Sequence, residues 1–253
     1  MNERQSVSLA AAYLLHARPF RDSSVIAEFF TRDYGRVSLV GRGARRPKSR
    51  LKGQLRPFQR SVISWVSRGS LGTLTAIEAD TTMTTPLPRS ILSAYYVNEL
   101  IMRALRPGDS QGDVFARYER LLVELNHAND AVALRLFERD LLDHLGYGLQ
   151  LTETRSGAPI EPDTNYIYDV TEGAWEGGGS DAIRGASLLA LAEGALQTVP
   201  QLNDAKRLLR RALDAHLGEA DSRVRQVLVS MQSRRRRWSE DSDLSPTKQE
   251  TDS

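Results

Sequence analysis

Residues 32–60 read RDYGRVSLVGRGARRPKSRLKGQLRPFQR, and how this stretch folds decides the architecture of the N-terminal third of the chain. Ten of its residues are basic (Arg32, Arg36, Arg42, Arg45, Arg46, Lys48, Arg50, Lys52, Arg56 and Arg60), against a single acid, Asp33. The tight turn Asp33-Tyr34-Gly35 leads into one short apolar run, and another follows the cations. Charges interleaved with glycines and short apolar runs describe strands joined by a long solvated loop, not a basic tail. Lys and Arg clustered in this way release counterions from a polyanion, so the stretch has the electrostatic footprint of a phosphate-backbone binder.

Working outward, five β-rich runs cover residues 7–17, 25–31, 36–41, 55–66 and 71–79. Arg18-Pro19, Asp22-Ser23 and Arg68-Gly69-Ser70 supply the other turns. Five short strands with glycine punctuation and no convincing helix predict a small barrel of the OB type. Such barrels bind single-stranded nucleic acid through a charged track plus faces on which bases stack. The segment GRGARRPKSRLKG becomes a long loop at the barrel mouth. Phe20, Tyr34, Phe58 and Trp65 are the aromatic stacking candidates, although each also suits a core. Alternation along the fourth strand puts Phe58 and Trp65 on opposite faces, so at most one of them is expected to be exposed.

Whole-chain charge hides this asymmetry, because 34 Lys/Arg against 32 Asp/Glu leave only +2. Residues 1–80 alone carry 14 basic and 6 acidic side chains, so the remainder is net acidic. A basic front and an acidic back suggest two modules with different partners. At 253 residues two domains are a reasonable expectation: a nucleic-acid-binding barrel over 1–80 and a helical domain over 81–233. There are no cysteines, which excludes disulfides and thiolate metal sites. The first apolar run is too short for a signal peptide and none approaches a membrane span, so a soluble, cytoplasmic, nucleoid-associated protein with no membrane partner is expected.

After residue 79 the period changes. Pro86 and Pro88 mark a helix entrance. Phe115, Tyr118, Leu122 and Leu125 repeat at helical spacing, as do Leu134, Phe137, Leu141 and Leu145 behind a cap at Asn129 or Asp130. Gly146 and Gly148 end that helix with residues that permit a left-handed cap. Residues 150–185 read as an irregular insert with one short hairpin. Asn203 or Asp204 is expected to cap a basic amphipathic helix carrying Lys206, Arg207, Arg210 and Arg211, which suits an ordinary solvated face. Asp221-Ser222 would cap another with Val224, Val227, Leu228 and Met231 on one face. Residues 234–253, opening with Arg234 to Arg237, have the composition of a disordered tail.

No phosphate-binding loop, GxSxG elbow or magnesium-holding carboxylate cluster is recognisable, and His16, His127, His144 and His216 have no metal-ligand spacing. A non-catalytic protein with no cofactor and no metal follows.

Four segments, LHARPFRDSSVIAEFFTRDYGRVSLVGRGARRPKSRLKGQLRPFQ, GTLTAIEAD, YYVNELIMRAL and ALRLFERDLLDHLGYGLQL, resemble in order and spacing the corresponding segments of the RecO family of bacterial recombination mediators. The resemblance covers about residues 8–230. It implies an α+β architecture in which an N-terminal OB barrel is joined to a helical domain. It also implies binding to single- and double-stranded DNA, annealing of complementary strands, and contact with the acidic tail of single-stranded DNA-binding protein. Cooperation with RecR in loading RecA would make RecA an indirect partner. Many members carry a four-cysteine zinc module in the region that here reads TETRSGAPIEPDTNYIYDVTEGAW, which this chain cannot form; packing of Tyr166, Tyr168 and Trp175 is the expected substitute. Arg42, Arg45, Arg46, Lys48, Arg50 and Lys52 are the expected phosphate contacts, flanked by Arg36 and Arg56. For the acidic tail, the family's position matches Arg135, beside Phe137. An OB-fold RNA-binding protein of the translation or RNA-processing machinery is the alternative, to be separated by competition between DNA and RNA.

Overall fold

The computed structural model describes residues 5–82, 85–127 and 130–218. Asn129, the segment from Asp221 to Met231 and the tail with Arg234 to Arg237 lie outside the described residues.

Strands β1 (Gln5–Phe20), β2 (Ser24–Thr31), β3 (Gly35–Gly41), β4 (Arg60–Ser67) and β5 (Leu71–Ala79) close into a barrel in the order β1-β2-β3-β5-β4. All its pairings are antiparallel except β3 with β5, which run parallel through Ser38–Leu71 to Val40–Thr73. This is the five-stranded OB architecture. Its longest strand does not alternate apolar with polar, because both of its faces are covered. Ala10, Ala12 and Leu14 of β1 point into the barrel beside Phe29 and Ile63, while Tyr13 and Leu15 join a second core shared with the helices. β2 divides in the same way, with Phe29 inside and Phe30 outside. The ladder between β1 and β4 slips between Val7 and Ala10, where Leu9 takes a left-handed φ of 56° in a bulge.

The fourth strand begins at Arg60, not at residue 55 as the apolar pattern suggested. Pro57 has no N–H to donate, and Phe58 sits at φ 65°, so the ladder cannot start before them. Both aromatics expected on opposite faces of that strand are buried, at 3% exposure each. Trp65 enters the barrel core, and Phe58 packs on Tyr95 of the helical region with ring centroids 4.8 Å apart.

A 3-10 turn, Pro88–Ser90, leads into α1 (Ile91–Ala104), followed by α2 (Gly112–Glu124) and α3 (Asp130–His144). The stripe read for α2 is buried, whereas in the α3 stripe Phe137 and Leu141 are buried and Leu134 and Leu145 are half-buried, because the buried face also takes in Ala133, Arg135, Glu138 and Leu142. Two cores meet at an aromatic seam: Tyr13 and Phe30 of the barrel each contact Phe115 and Tyr118 of α2, with centroids 5.1 to 6.0 Å apart. The buried Asn98 side chain on the seam is bonded through both ends of its amide. Asn98 donates to the Leu15 carbonyl at 2.9 Å and accepts from the Tyr118 hydroxyl at 2.6 Å.

The region read as an irregular insert is a small sheet, β6 (Asn165–Asp169), β7 (Gly173–Glu176) and β8 (Ile183–Arg184), in the order β7-β6-β8. α4 (Gly185–Glu193) and α5 (Val199–Leu217) complete the described residues. α5 starts before the expected cap. Thr198 and Gln201 form a reciprocal capping box, with Pro200 in the first turn, so Asn203 and Asp204 lie inside the helix. Among the described residues no helix is long and apolar enough to cross a membrane.

Candidate nucleic-acid interface

Between β3 and β4, residues 42–59 fold as a succession of turns. The amides of Arg46, Ser49, Lys52 and Gln54 each donate to the carbonyl three residues back, at 3.0 to 3.2 Å. Gly43 (φ 67°) and Gly53 (φ 89°) supply the left-handed conformations that such a path requires. Ala44 is buried, and Leu51 and Leu55 lean on the barrel core. With those three side chains turned inward, the cations face out: Arg42, Arg45, Arg46, Lys48, Arg50, Lys52 and Arg56 are all exposed. Among the described residues none of these seven lies within ion-pair distance of a carboxylate.

The loop is docked at one end of the barrel. The Arg45 amide donates to the Ser23 carbonyl at 2.8 Å, and its guanidinium reaches toward the carbonyls of Arg21 and Asp22 at 3.5 Å. This brings the β1–β2 turn, which carries exposed Arg21 over the Phe20 ring at 5.1 Å, and nearby Arg18 to the same edge. Neither arginine was picked out by sequence reasoning. The available signal was the general use of that turn for ligand binding in OB folds.

Arg36 is placed differently from the other sequence-predicted cations. It is half-buried, its guanidinium donates to the Met102 carbonyl, and its own carbonyl accepts from the Gly108 amide at 2.9 Å. It fastens β3 to the loop between α1 and α2, so the structure withdraws it from the exposed track. Arg60 is also committed, to Asp80 at 2.6 Å and Glu119 at 2.8 Å. Hydrogen bonds from the Thr82 hydroxyl and amide, with that of Arg60, pull the Asp80 carboxyl down to about 2. Of the aromatic candidates, Phe58 and Trp65 are buried, whereas Phe20 and Tyr34 are half-buried at the surface.

On the helical side, Phe137 has 0% exposure and lies under the Arg117 guanidinium at 5.7 Å. The Arg135 side chain is 11% exposed and pairs with Glu138 at 2.9 Å. Glu138, itself buried, accepts from the Tyr96 hydroxyl at 2.6 Å. Burial pushes the Glu138 carboxyl up, against the opposing pull of Arg135 and Tyr96. Arg135 is therefore a member of an internal network, and Phe137 presents no surface. On α5, Arg207 clasps the carbonyls of Ser180 and Ala182 and pairs with Asp204, and Arg210 lies 3.8 Å from Asp214.

The donor set for a zinc module does not fit here. Positions 152–175 hold no thiols, and among the described residues no three His, Asp or Glu side chains converge on a metal-sized site. Hydrogen bonds and packing hold the segment instead. The Thr154 amide donates to the Ala158 carbonyl at 2.7 Å and that of Arg155 to the Ala174 carbonyl at 2.8 Å. The Tyr166 hydroxyl accepts from the Glu161 amide, and the Tyr168 hydroxyl donates to the Gln150 carbonyl. Arg155 covers the Trp175 ring at 4.6 Å, so all three expected aromatics take part.

Comparison with known proteins agrees with the fold. The family described as recombination protein O, N terminal, matches residues 6–82, and recombination protein O, C terminal, matches residues 88–225. Relatives named DNA repair protein RecO include those of Nitrosococcus oceani (40% identical over 231 residues, covering 89% of this chain and 94% of the relative) and Thiobacillus denitrificans (35% over 240 residues, 90% and 94%). That of Methylococcus capsulatus is 37% identical over 227 residues, covering 88% and 94%. With both halves matched in order along a barrel followed by helices, the chain belongs to the recombination protein O family.

Proposed function

We propose that this protein is a non-catalytic, cytoplasmic recombination mediator of DNA repair that binds DNA, anneals complementary strands and helps load RecA onto single strands coated by single-stranded DNA-binding protein. The observation that carries this reading is the row of seven exposed cations, with no acidic partner among the described residues, on a loop docked at the barrel end beside Arg21. Cations whose field is not cancelled by neighbouring carboxylates neutralise phosphates and release their counterions. Neutralising two strands at once lowers their mutual repulsion, and this accelerates annealing without an active site.

The acidic tail of single-stranded DNA-binding protein and RecR are the protein partners in this reading. Arg135 already holds a carboxylate, that of Glu138, so a tail carboxylate would share its guanidinium or take it by exchange. Phe137 would contribute from beneath the surface, as support for the helix that carries Arg135.

The test is annealing of complementary oligonucleotides coated with single-stranded DNA-binding protein, comparing the parent with Arg45, Arg46 and Lys48 replaced together by Ala. Annealing by the parent and its loss in the folded triple variant support the reading. A parent that neither anneals nor binds DNA in a salt-sensitive way refutes it, and preferential competition by RNA would favour a reader of the 2′-hydroxyl.

A further inference from the structure

The parallel pairing of β3 with β5 covers only three residue pairs, and before it β3 makes a bridge at Arg36 with Pro107 of the loop between α1 and α2. A cleft of about 290 Å³ opens there. Tyr34, Trp65 and Leu39 wall it, and Asp33, Ser67 and Ser70 stand around it. Tyr34 meets Trp65 edge to face, with centroids 5.2 Å apart. Arg36 also lines it, and the buried Nε of that side chain has no hydrogen-bond partner among the described residues.

We propose that this cleft receives one unstacked base of a single strand whose phosphates lie on the basic loop; the inference rests on the DNA-binding reading above. An aromatic wall with a few polar groups at its edge suits a planar heterocycle, which stacks on the ring and hydrogen-bonds through its edge. Asp33 accepts from an exocyclic amino group, while the serine hydroxyls can donate to ring nitrogens or carbonyls. Asp33 offsets the charge of Arg36, so the cleft holds no surplus cation for a phosphate, and its aromatic wall suits the base. β3 leads from the cleft to the first cation of the loop, a path of roughly 20 Å at strand rise, which a few nucleotides span. A base in a duplex is stacked and paired and cannot enter. The cleft therefore favours single strands and gives up its base when strands pair, which suits a protein that must let go of the annealed product.

The test measures binding of the whole protein to a labelled deoxycytidine oligomer, whose base carries an exocyclic amino group, and to an abasic oligomer of equal length, at one salt concentration. The parent should bind the base-bearing strand about tenfold tighter, in the range of stacking on a single aromatic. Tyr34→Ala removes the wall, and Ser70→Phe fills the cleft from an exposed turn without touching the barrel core; both should bring the ratio near one and leave abasic binding unchanged. If Tyr34→Ala does not fold, Ser70→Phe decides. Equal, tight binding of both strands by the parent, or a ratio that survives Ser70→Phe, overturns the cleft while leaving the DNA reading intact. Failure of the parent to bind either strand overturns both.

Discussion

Two sets of arginines in this molecule differ in what surrounds them. Along the barrel–helix seam and in the helical core, three arginines are matched by acids, Arg60 with Asp80 and Glu119, Arg117 with Asp140 and Glu124, Arg135 with Glu138, while Arg36 gives its guanidinium to the Met102 carbonyl. Along residues 42–56 the cations face water, with no acid within ion-pair distance among the described residues. Removing a charge from water is costly unless a partner and hydrogen bonds compensate, so partly buried arginines recruit the chain's carboxylates. Exposed arginines on a turn-rich loop need no such partner, and their field remains available to a polyanion. Local charge density alone does not separate the two sets; exposure and the presence or absence of a neutralising neighbour do.

That contrast can be broken or sharpened by substitution. The largest effect is expected for Glu138→Ala, which strands Arg135 without its counter-ion and leaves the Tyr96 hydroxyl without an acceptor. Denaturant unfolding should show a loss of about 3 kcal/mol or more, in the range for breaking a buried pair; a loss within noise would put Arg135 with the surface cations. Arg60→Ala comes next, at about 1–3 kcal/mol, because two partly buried carboxylates lose charged hydrogen bonds. Acid should act through the same seam. Asp80 falls to about 2 in the folded protein from an ordinary 3.8, so its contribution is complete above pH 4 and lost as the pH falls toward 2. Asp80→Asn should flatten stability across that window, and an unchanged acid profile would contradict the assignment. Smallest of all, Ala at Arg46, Lys48 or Arg50 singly should move stability by no more than about 0.5 kcal/mol.

The barrel was readable because its strands are short, separated by turn residues, and coloured by β-branched and aromatic side chains; β5 has the bounds that the sequence pattern implied. What the pattern missed has identifiable causes. Leu55 and Phe58 look like strand residues, but the apolar character that drew the strand too long serves to anchor the loop and the seam. The start of α5 is encoded in Thr198 and Gln201, and Asn203 and Asp204 downstream mask it because both are good cap residues. β8 is two residues long, below any periodicity. The exposed cations of the loop could be read from sequence because neighbouring glycines and turns keep them at the surface. The commitment of Arg36 could not, since it bonds the carbonyl of Met102, distant in sequence, and the burial of Arg135 could not, since its i+3 partner Glu138 is held inside by Tyr96 from another helix.

The most direct test of the loop as the phosphate track is the salt dependence of DNA affinity, measured for the parent and for the variant with Arg45, Arg46 and Lys48 all changed to Ala. If these side chains contact phosphates, the slope of log affinity against log salt should become shallower by about 3, roughly one per contact, with thermal unfolding unchanged. A slope equal to that of the parent would show that the loop's exposed charge lies off the path of the DNA.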